Sequence, residues 1–97
     1  MATRTKADIV DMISERTGVM QKAVSLCAEE LLNVITEVLE ERDRIEIRGL
    51  GVFKTKKRNA RIAKHPKTKE EIQVPERVVP LFKPSKILKE KVEKANK

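Results

Sequence analysis

The residues between Lys54 and Arg77 carry too few apolar side chains to pack against a protein core. Prolines apart, the apolar residues of this segment are Ala60, Ile62, Ala63, Ile72 and Val74. A strand that rests on a core needs an apolar side chain at about every second position, which this segment does not supply. It is therefore predicted to project as a two-stranded arm, residues 54–77. At about 3.3 Å per residue, ten or so residues per strand give a reach of roughly 30 to 35 Å.

Positive charge is concentrated in the first part of this arm. Residues 54–69 contain no Asp or Glu and eight basic residues, which are Lys54, Lys56, Lys57, Arg58, Arg61, Lys64, Lys67 and Lys69. The whole chain has 22 basic and 15 acidic residues, so without these eight it is close to neutral. A charge excess confined to one element is typical of a surface that binds a polyanion.

The first forty residues show the apolar spacing of two helices, predicted over about 6–16 and 20–41. Thr5 and Asp8 have the spacing of a capping box, and Gly18 stands where a left-handed helix cap belongs. These three residues predict where the first helix begins and ends.

The apolar residues of the second helix cover about half of its circumference. A stripe this wide predicts burial on two sides, one against the same chain and one against a second copy. Cys27 lies on this stripe and is expected to be a small core residue.

After the helices the apolar period changes from that of a helix to that of a strand. Ile45 and Ile47 alternate with charged residues, and the glycines of 49–51 predict a tight turn into a second strand. That strand runs into the arm, turns around 65–68 and returns to Phe82. Pro75 and Pro80 cannot donate to a ladder and are expected at an edge or bulge. Ser85 is the expected N-cap of a last helix, about 86–94.

The predicted fold is therefore α+β: a helical N-terminal half, a three-stranded antiparallel sheet with a long protruding hairpin arm, and a short C-terminal helix. We expect one domain, 1–97. Its helical dimerisation part spans about 5–41, its sheet and arm about 44–82, and its C-terminal helix about 85–94.

Composition argues against several functional classes. No apolar run approaches the roughly 18 residues that span a bilayer, and no apolar signal-peptide block follows Met1, so a cytosolic protein without membrane contact is expected. Cys27 and His65 are the only residues of their types, too few for a disulfide or a zinc site. No acidic cluster lies near the arm to hold Mg²⁺. We expect no enzyme, no metal, no cofactor and no small-molecule substrate.

Pro66 lies near the middle of the basic stretch, where the arm turns. A proline presets φ for a turn, which is the ordinary interpretation. It is also rigid and apolar, which suits a wedge inserted between base pairs of DNA. The residues around Pro66 leave both interpretations open.

Five groups of residues have the order and spacing found in the HU and integration host factor family of bacterial DNA-bending proteins, which the chain resembles from about Thr5 to Val92. They are Gly49-Leu50-Gly51-Val52-Phe53, Arg58-Asn59-Ala60-Arg61, His65-Pro66-Lys67-Thr68, Glu70-Glu71-Ile72 and Val79-Pro80-Leu81-Phe82-Lys83-Pro84-Ser85-Lys86. The resemblance implies an intertwined dimer whose two arms embrace the DNA minor groove. It also implies that Pro66 is the wedge that intercalates at each arm tip and bends the duplex.

The family pattern places DNA contacts of the arm on Arg58, Arg61 and Lys64, and those of the body on Lys6, Lys83 and Lys86. Charge and position extend the predicted DNA-binding set to further arm residues, which are Lys54, Lys56, Lys57, Lys67, Lys69 and Arg77. Lys83 and Lys86 flank the start of the last helix, where backbone N–H groups favour a phosphate.

The arm tip departs from the family pattern at four positions. Ala63 and Lys69 replace two glycines, which should stiffen the tip and cost free energy if either backbone has positive φ. Lys64 replaces an arginine and loses its planar fork while keeping the charge. His65 replaces an asparagine and is expected to be an exposed turn residue.

The sequence thus predicts a non-enzymatic architectural protein that bends duplex DNA and compacts the nucleoid with weak sequence preference. Bent, nicked or flexible DNA should be favoured. The partner subunit could be an identical chain or a paralogue, and binding could be HU-like or site-specific. The alternative is an RNA-binding module of the ribosomal type, whose basic hairpin threads folded RNA.

Overall fold

The computed structural model describes all residues from Met1 to Lys97 as three helices and five strands. The helices are α1 (Lys6–Thr17), α2 (Gln21–Glu40) and α3 (Lys86–Ala95). The strands are β1 (Ile45–Ile47), β2 (Gly51–Arg58), β3 (Arg61–Lys64), β4 (Glu71–Val74) and β5 (Arg77–Pro84). The predicted α+β class is confirmed. The chain forms two compact units, Met1–Glu37 and Val38–Lys97.

Both ends of α1 are capped as predicted. The Thr5 hydroxyl accepts a hydrogen bond from the Asp8 backbone N–H at 3.3 Å, and the Asp8 carboxylate accepts one from the Thr5 N–H at 2.9 Å. At the other end Gly18 has φ 76° and donates its N–H to the Ser14 carbonyl at 2.9 Å. A side chain at this left-handed position would be strained, which is why glycine ends the helix here.

The capping box makes the start of α1 sensitive to acid. Hydrogen bonds from the Thr5 backbone and hydroxyl hold the pKa of the Asp8 carboxyl below its usual value. A lowered pKa means that the folded state is stabilised above about pH 4 and loses this contribution as pH falls through the folded-state value. We expect the helicity of Asp8→Asn, followed by far-UV circular dichroism, to fall less between neutral and acidic pH than that of wild type. Glu15→Gln on the same helix should show the same loss of helicity in acid as wild type. Identical acid profiles for Asp8→Asn and wild type would contradict this assignment.

The first unit buries very little of its apolar surface. Val10 and Val24 are the buried hydrophobic residues of the chain. Around them α1 and α2 leave an open apolar groove, whose lining residues are Lys6, Ile9, Ile13, Thr17, Val19, Ala23, Val24, Cys27, Ala28, Leu31 and Leu32. Cys27 is exposed, so its predicted place in the core is wrong for the single chain, because it lines this groove. The wide stripe on α2 therefore lies open along much of its width.

The second unit is built on an antiparallel sheet of three strands in the order β1-β2-β5, followed by a separate two-stranded sheet, β3-β4. Pro80 lies in β5 opposite Thr55 of β2, on an edge strand that tolerates a missing N–H. Pro75 lies in the gap between β4 and β5. The opposite gap, between β2 and β3, contains Asn59 and Ala60. The arm is thus two consecutive ladders rather than one continuous ribbon.

A glycine turn and a serine join the sheet to α3. Gly49 has φ 86° and Gly51 has φ 153°, and the Leu50 N–H donates to the Ile47 carbonyl at 3.0 Å. The Ser85 hydroxyl donates to the Gly49 carbonyl at 2.9 Å and accepts from the Leu88 N–H at 3.1 Å. Ser85 is therefore the N-cap of α3, as predicted, and it ties the helix start to the turn.

No helix combines the length and the apolar character that crossing a membrane would require.

The apolar face of the sheet carries Ile45 and Ile47 of β1 with Phe53 of β2, all half-buried. Phe53 pairs with Phe82 of β5, and their ring centroids lie 4.7 Å apart.

Candidate nucleic-acid interface

One face of the sheet β1-β2-β5 is basic. Side chains alternate between the two faces along a strand, and directly opposed residues of paired strands share a face. Lys54 and Lys56 therefore lie on the face opposite Phe53, and Lys83, which is paired with Val52, lies beside them. The residues of this basic face are Lys54, Lys56, Arg58, Arg77 and Lys83. All but the half-buried Lys54 are exposed.

Two further arginines line the same face and were not among the residues predicted to bind DNA. Arg44 and Arg48 share a groove with Lys54 and Lys83, and Glu46 also lines it. The nearest oxygen of Glu46 lies 3.8 Å from the Arg44 guanidinium. The signal was present in the sequence, because the alternation that turns Ile45 and Ile47 inward turns these charged residues toward the basic face.

Lys57 differs from the other lysines of β2 because it lies on the opposite face. Its ammonium group lies 3.2 Å from a carboxylate oxygen of Glu76, with both side chains about half exposed. An exposed pair of this kind contributes about 0 to 1 kcal/mol. A phosphate can therefore compete with Glu76 for Lys57 at little cost.

Where the two ladders of the arm meet, five basic residues line a shallow cavity, together with Asn59, Val74 and Pro75. They are Lys56, Lys57, Arg58, Arg61 and Arg77. A fixed cluster of positive charge at a concave surface attracts phosphate groups more strongly than isolated lysines do.

The outer ladder, which we call the distal hairpin (residues 61–74), carries the tip and four of the predicted arm contacts, Arg61, Lys64, Lys67 and Lys69. Arg61 opposes Val74 and Lys64 opposes Glu71, so the two cations lie on opposite faces of this hairpin. The loop that follows is closed by two backbone bonds of 2.9 Å, from the His65 N–H to the Glu70 carbonyl and from the Lys69 N–H to the His65 carbonyl. Pro66 lies in this loop and is exposed.

The two replaced glycines behave differently. Lys69 has φ 58°, the left-handed conformation for which its predicted steric cost applies. Ala63 has no positive φ and lies within β3 opposite Ile72, so it carries no such cost. Lys67 follows Pro66 in the loop and is exposed.

The predicted body contacts lie in different settings. In the first unit the Lys6 ammonium group is 2.6 Å from a carboxylate oxygen of Glu29, so it must leave this partner to reach a phosphate. In the second unit Lys86 is the first residue of α3 and Lys83 lies just before it, at a helix start whose free N–H groups favour an anion. No group of three or more His, Cys, Asp or Glu side chains is placed to hold a metal ion.

Comparison with known proteins agrees with this geometry. The model of the family described as bacterial DNA-binding protein matches residues 4–93. The chain belongs to this family. The family consists of architectural DNA-binding proteins rather than enzymes, so the predictions of family and of non-enzymatic function are confirmed.

Individual relatives point the same way. The chain is 41% identical over 92 residues to the DNA-binding protein HU of Thermus thermophilus, covering 95% of each chain. It is 38% identical over 90 residues to the integration host factor subunit beta of Burkholderia multivorans, covering 92% of this chain and 84% of that one. Among solved structures, an Anabaena HU–DNA cocrystal matches with a TM-score of 0.85 and 31% identity, over 92% of this chain and 97% of that one.

Proposed function

We propose that the protein binds duplex DNA through its arm and bends it, with the distal hairpin in the minor groove and Pro66 inserted between base pairs. The observation that carries this proposal is an exposed hairpin whose cations lie along both ladders and whose loop presents an exposed proline. A two-stranded ribbon is thin enough to follow a groove, and its lysines and arginines can each meet a phosphate.

The DNA-binding residues of this proposal are those predicted from the sequence, with the two arginines that flank β1 added. They are Lys6, Lys54, Lys56, Lys57, Arg58, Arg61, Lys64, Lys67, Lys69, Arg77, Lys83 and Lys86, together with Arg44 and Arg48. Pro66 is the intercalating residue. No cofactor or metal takes part.

Binding and bending draw on different parts of this set. Phosphate neutralisation releases counterions from DNA and supplies affinity that does not depend on sequence. Bending a site smoothly by 40–90° costs about 1 to 6 kcal/mol, which those contacts must offset. A wedge at Pro66 concentrates the bend at one unstacked step, so DNA that is already bent, nicked or flexible should be preferred. Sequence preference should be weak, because the minor groove distinguishes mainly A·T from G·C.

We further propose that the open groove of the first unit is covered by a second copy of the chain, or by a paralogue, in an intertwined dimer. The groove is lined by aliphatic side chains, and Leu31 and Leu32 remain 57% and 48% exposed. Apolar surface of this extent is a recognised mark of a protein interface. A dimer would provide two arms, and with them two Pro66 wedges. We also propose that residues 1–97 form a single DNA-binding domain and that the protein acts at the nucleoid in the cytoplasm.

A competition assay tests the proposal against the RNA-binding alternative. Purified full-length protein is bound to labelled nicked duplex DNA, and unlabelled structured RNA or nicked DNA of equal length competes. We expect nicked or four-way-junction DNA to compete best, followed by random duplex. Tighter binding to structured RNA would refute the DNA-binding proposal. The mass of the free protein in solution tests the dimer, since a mass equal to that of one chain would contradict it.

Replacing arm arginines should change the salt dependence of binding. Each neutralised phosphate contributes about −0.9 to the slope of log K against log salt for duplex DNA. Arg58→Ala and Arg61→Ala are therefore each expected to make the slope shallower by about 1 per arm and to weaken binding on all sequences alike. Glu15→Gln on α1 is the matched control and should leave the slope unchanged. A loss confined to one DNA sequence would instead indicate base recognition by these arginines.

A further inference from the structure

The imidazole of His65 closes the loop that presents Pro66. Its Nδ1 atom accepts hydrogen bonds from the backbone N–H of Lys67 at 3.2 Å and from that of Thr68 at 3.4 Å. The backbone of His65 also binds the far side of the loop, donating to the Glu70 carbonyl. Pro66 has no N–H to donate, and the ring of His65 instead binds the N–H groups of the two residues that follow it. These hydrogen bonds fix the backbone directly after Pro66. No other side chain accepts hydrogen bonds from these two N–H groups.

This arrangement requires a neutral imidazole. A neutral ring that carries its proton on Nε2 has Nδ1 free to accept, whereas the imidazolium ion donates from both nitrogens and accepts from neither. His65 is exposed, so a proton can reach it from solvent. Histidine is the side chain that gains a proton between about pH 8 and pH 5.

The charged groups next to His65 do not hold its ring. They are Lys64 at the end of β3, Lys67 and Lys69 in the loop, and Glu70 and Glu71 at the return to β4. None of the three ion pairs of the chain involves any of these residues or His65. The ring is therefore held by backbone N–H groups alone, and protonation removes the acceptor they share.

We propose that His65 is a positioning residue for the Pro66 wedge and that it makes DNA bending by this protein depend on pH. The proposal rests on the proposed function and deepens it. With a neutral ring the loop is closed and Pro66 is presented rigidly. With a protonated ring the N–H groups of Lys67 and Thr68 lose their acceptor, the loop opens, and the arm tip gains one positive charge. Acid should therefore reduce bending while leaving phosphate-driven binding equal or stronger.

Two variants separate the hydrogen bond from the charge. His65→Asn keeps a side-chain acceptor that reaches the N–H two residues on and does not titrate. His65→Ala has no acceptor. The readout is the bend angle of a short duplex labelled at both ends, measured by energy transfer with full-length protein at about pH 8 and about pH 5.5.

We expect wild type and His65→Asn to bend DNA equally at the higher pH and His65→Ala to bend it less. Affinity of His65→Ala for a pre-kinked duplex should fall about fivefold, the factor that corresponds to one net hydrogen bond of about 1 kcal/mol. On acidification wild type should fall to the level of His65→Ala, whereas His65→Asn should not change. All other titratable groups are common to the three proteins, so none of them can produce the difference.

A measurement without DNA supports or refutes the same role. In NMR spectra of the free protein, the amide signals of Lys67 and Thr68 should move with the same midpoint as the imidazole of His65. Parallel pH profiles for wild type and His65→Asn would overturn the proposal. If Pro66→Ala reduces bending while wild type bends DNA equally at both pH values, the positioning role alone fails. If Pro66→Ala bends DNA like wild type, the intercalating role of Pro66 is refuted, and so is the positioning role of His65 that depends on it.

Discussion

Pro66→Ala is expected to lower the DNA bend angle by half or more while weakening binding by less than about tenfold. Alanine has no ring to fill an opened base step, so the unstacked DNA, which costs a few kcal/mol per step, is no longer stabilised. The phosphate contacts of the arm cations are unaffected, and they supply most of the affinity. The loop also loses the rigid φ of proline, a change of about 0.4 to 1 kcal/mol that is small beside the lost wedge.

The matched control is Pro80→Ala. Pro80 is an exposed residue of β5 opposite Thr55, on the face of the sheet away from the basic face and distant from the loop that holds Pro66. It should leave the bend angle within error of wild type in an energy-transfer measurement on end-labelled duplex. Equal bends for Pro66→Ala and wild type would show that Pro66 is only a turn residue, as its position in a loop allows.

Gly51→Ala is expected to destabilise the folded protein by more than about 2 kcal/mol. A Cβ built on Gly51 would overlap the carbonyl oxygen of Lys83 and would lie 2.9 Å from two ring atoms of Phe82. The carbonyl belongs to the backbone of β5 and cannot move without breaking the ladder. The backbone φ of 153° adds strain for any side chain.

Gly49→Ala isolates the backbone term. Gly49 also has positive φ, 86°, but a Cβ there would meet nothing within 4 Å. Its loss should be about 1 kcal/mol, the cost of left-handed backbone for an alanine. Urea unfolding at one fixed protein concentration compares the two, since any association shifts apparent stability by mass action. Equal losses would mean that β5 yields to the added carbon. Because Lys83 lies on the basic face, Gly51→Ala should also weaken DNA binding.

Much of this fold follows from short-range chemistry that the sequence displays. The capping residues Thr5, Gly18 and Ser85 act where their types and spacings predict, because each satisfies or ends a particular helix terminus. The glycine turn at 49–51 adopts the positive φ that glycine permits. The position of Pro66 in an exposed loop, after the basic strand β3, was likewise visible, since the apolar alternation stops on either side of it.

What the sequence did not predict depends on register and on partners distant in the chain. The opposite orientation of Lys57 is fixed by which residues of β2 and β5 are paired. The ion pair of Lys6 with Glu29 joins two helices and needs their packing. Pro75 was expected at an edge or bulge. That Asn59 and Ala60 of the partner strand leave the ladder opposite it depends on how the two strands of the arm are paired.

The interruption of the arm into two ladders has an evolutionary consequence. The distal hairpin is joined to the rest of the molecule by unpaired residues on each strand, 59–60 and 75–76, and its register is set by its own four pairs. The loop of the distal hairpin can therefore change sequence without disturbing the pairing of β2 with β5, and the hairpin can be exchanged as a unit. Substitutions such as those at Ala63, His65 and Lys69 can accumulate there independently of the body. A chimera that carries a relative's residues 61–74 should fold like the parent and bend DNA like the donor.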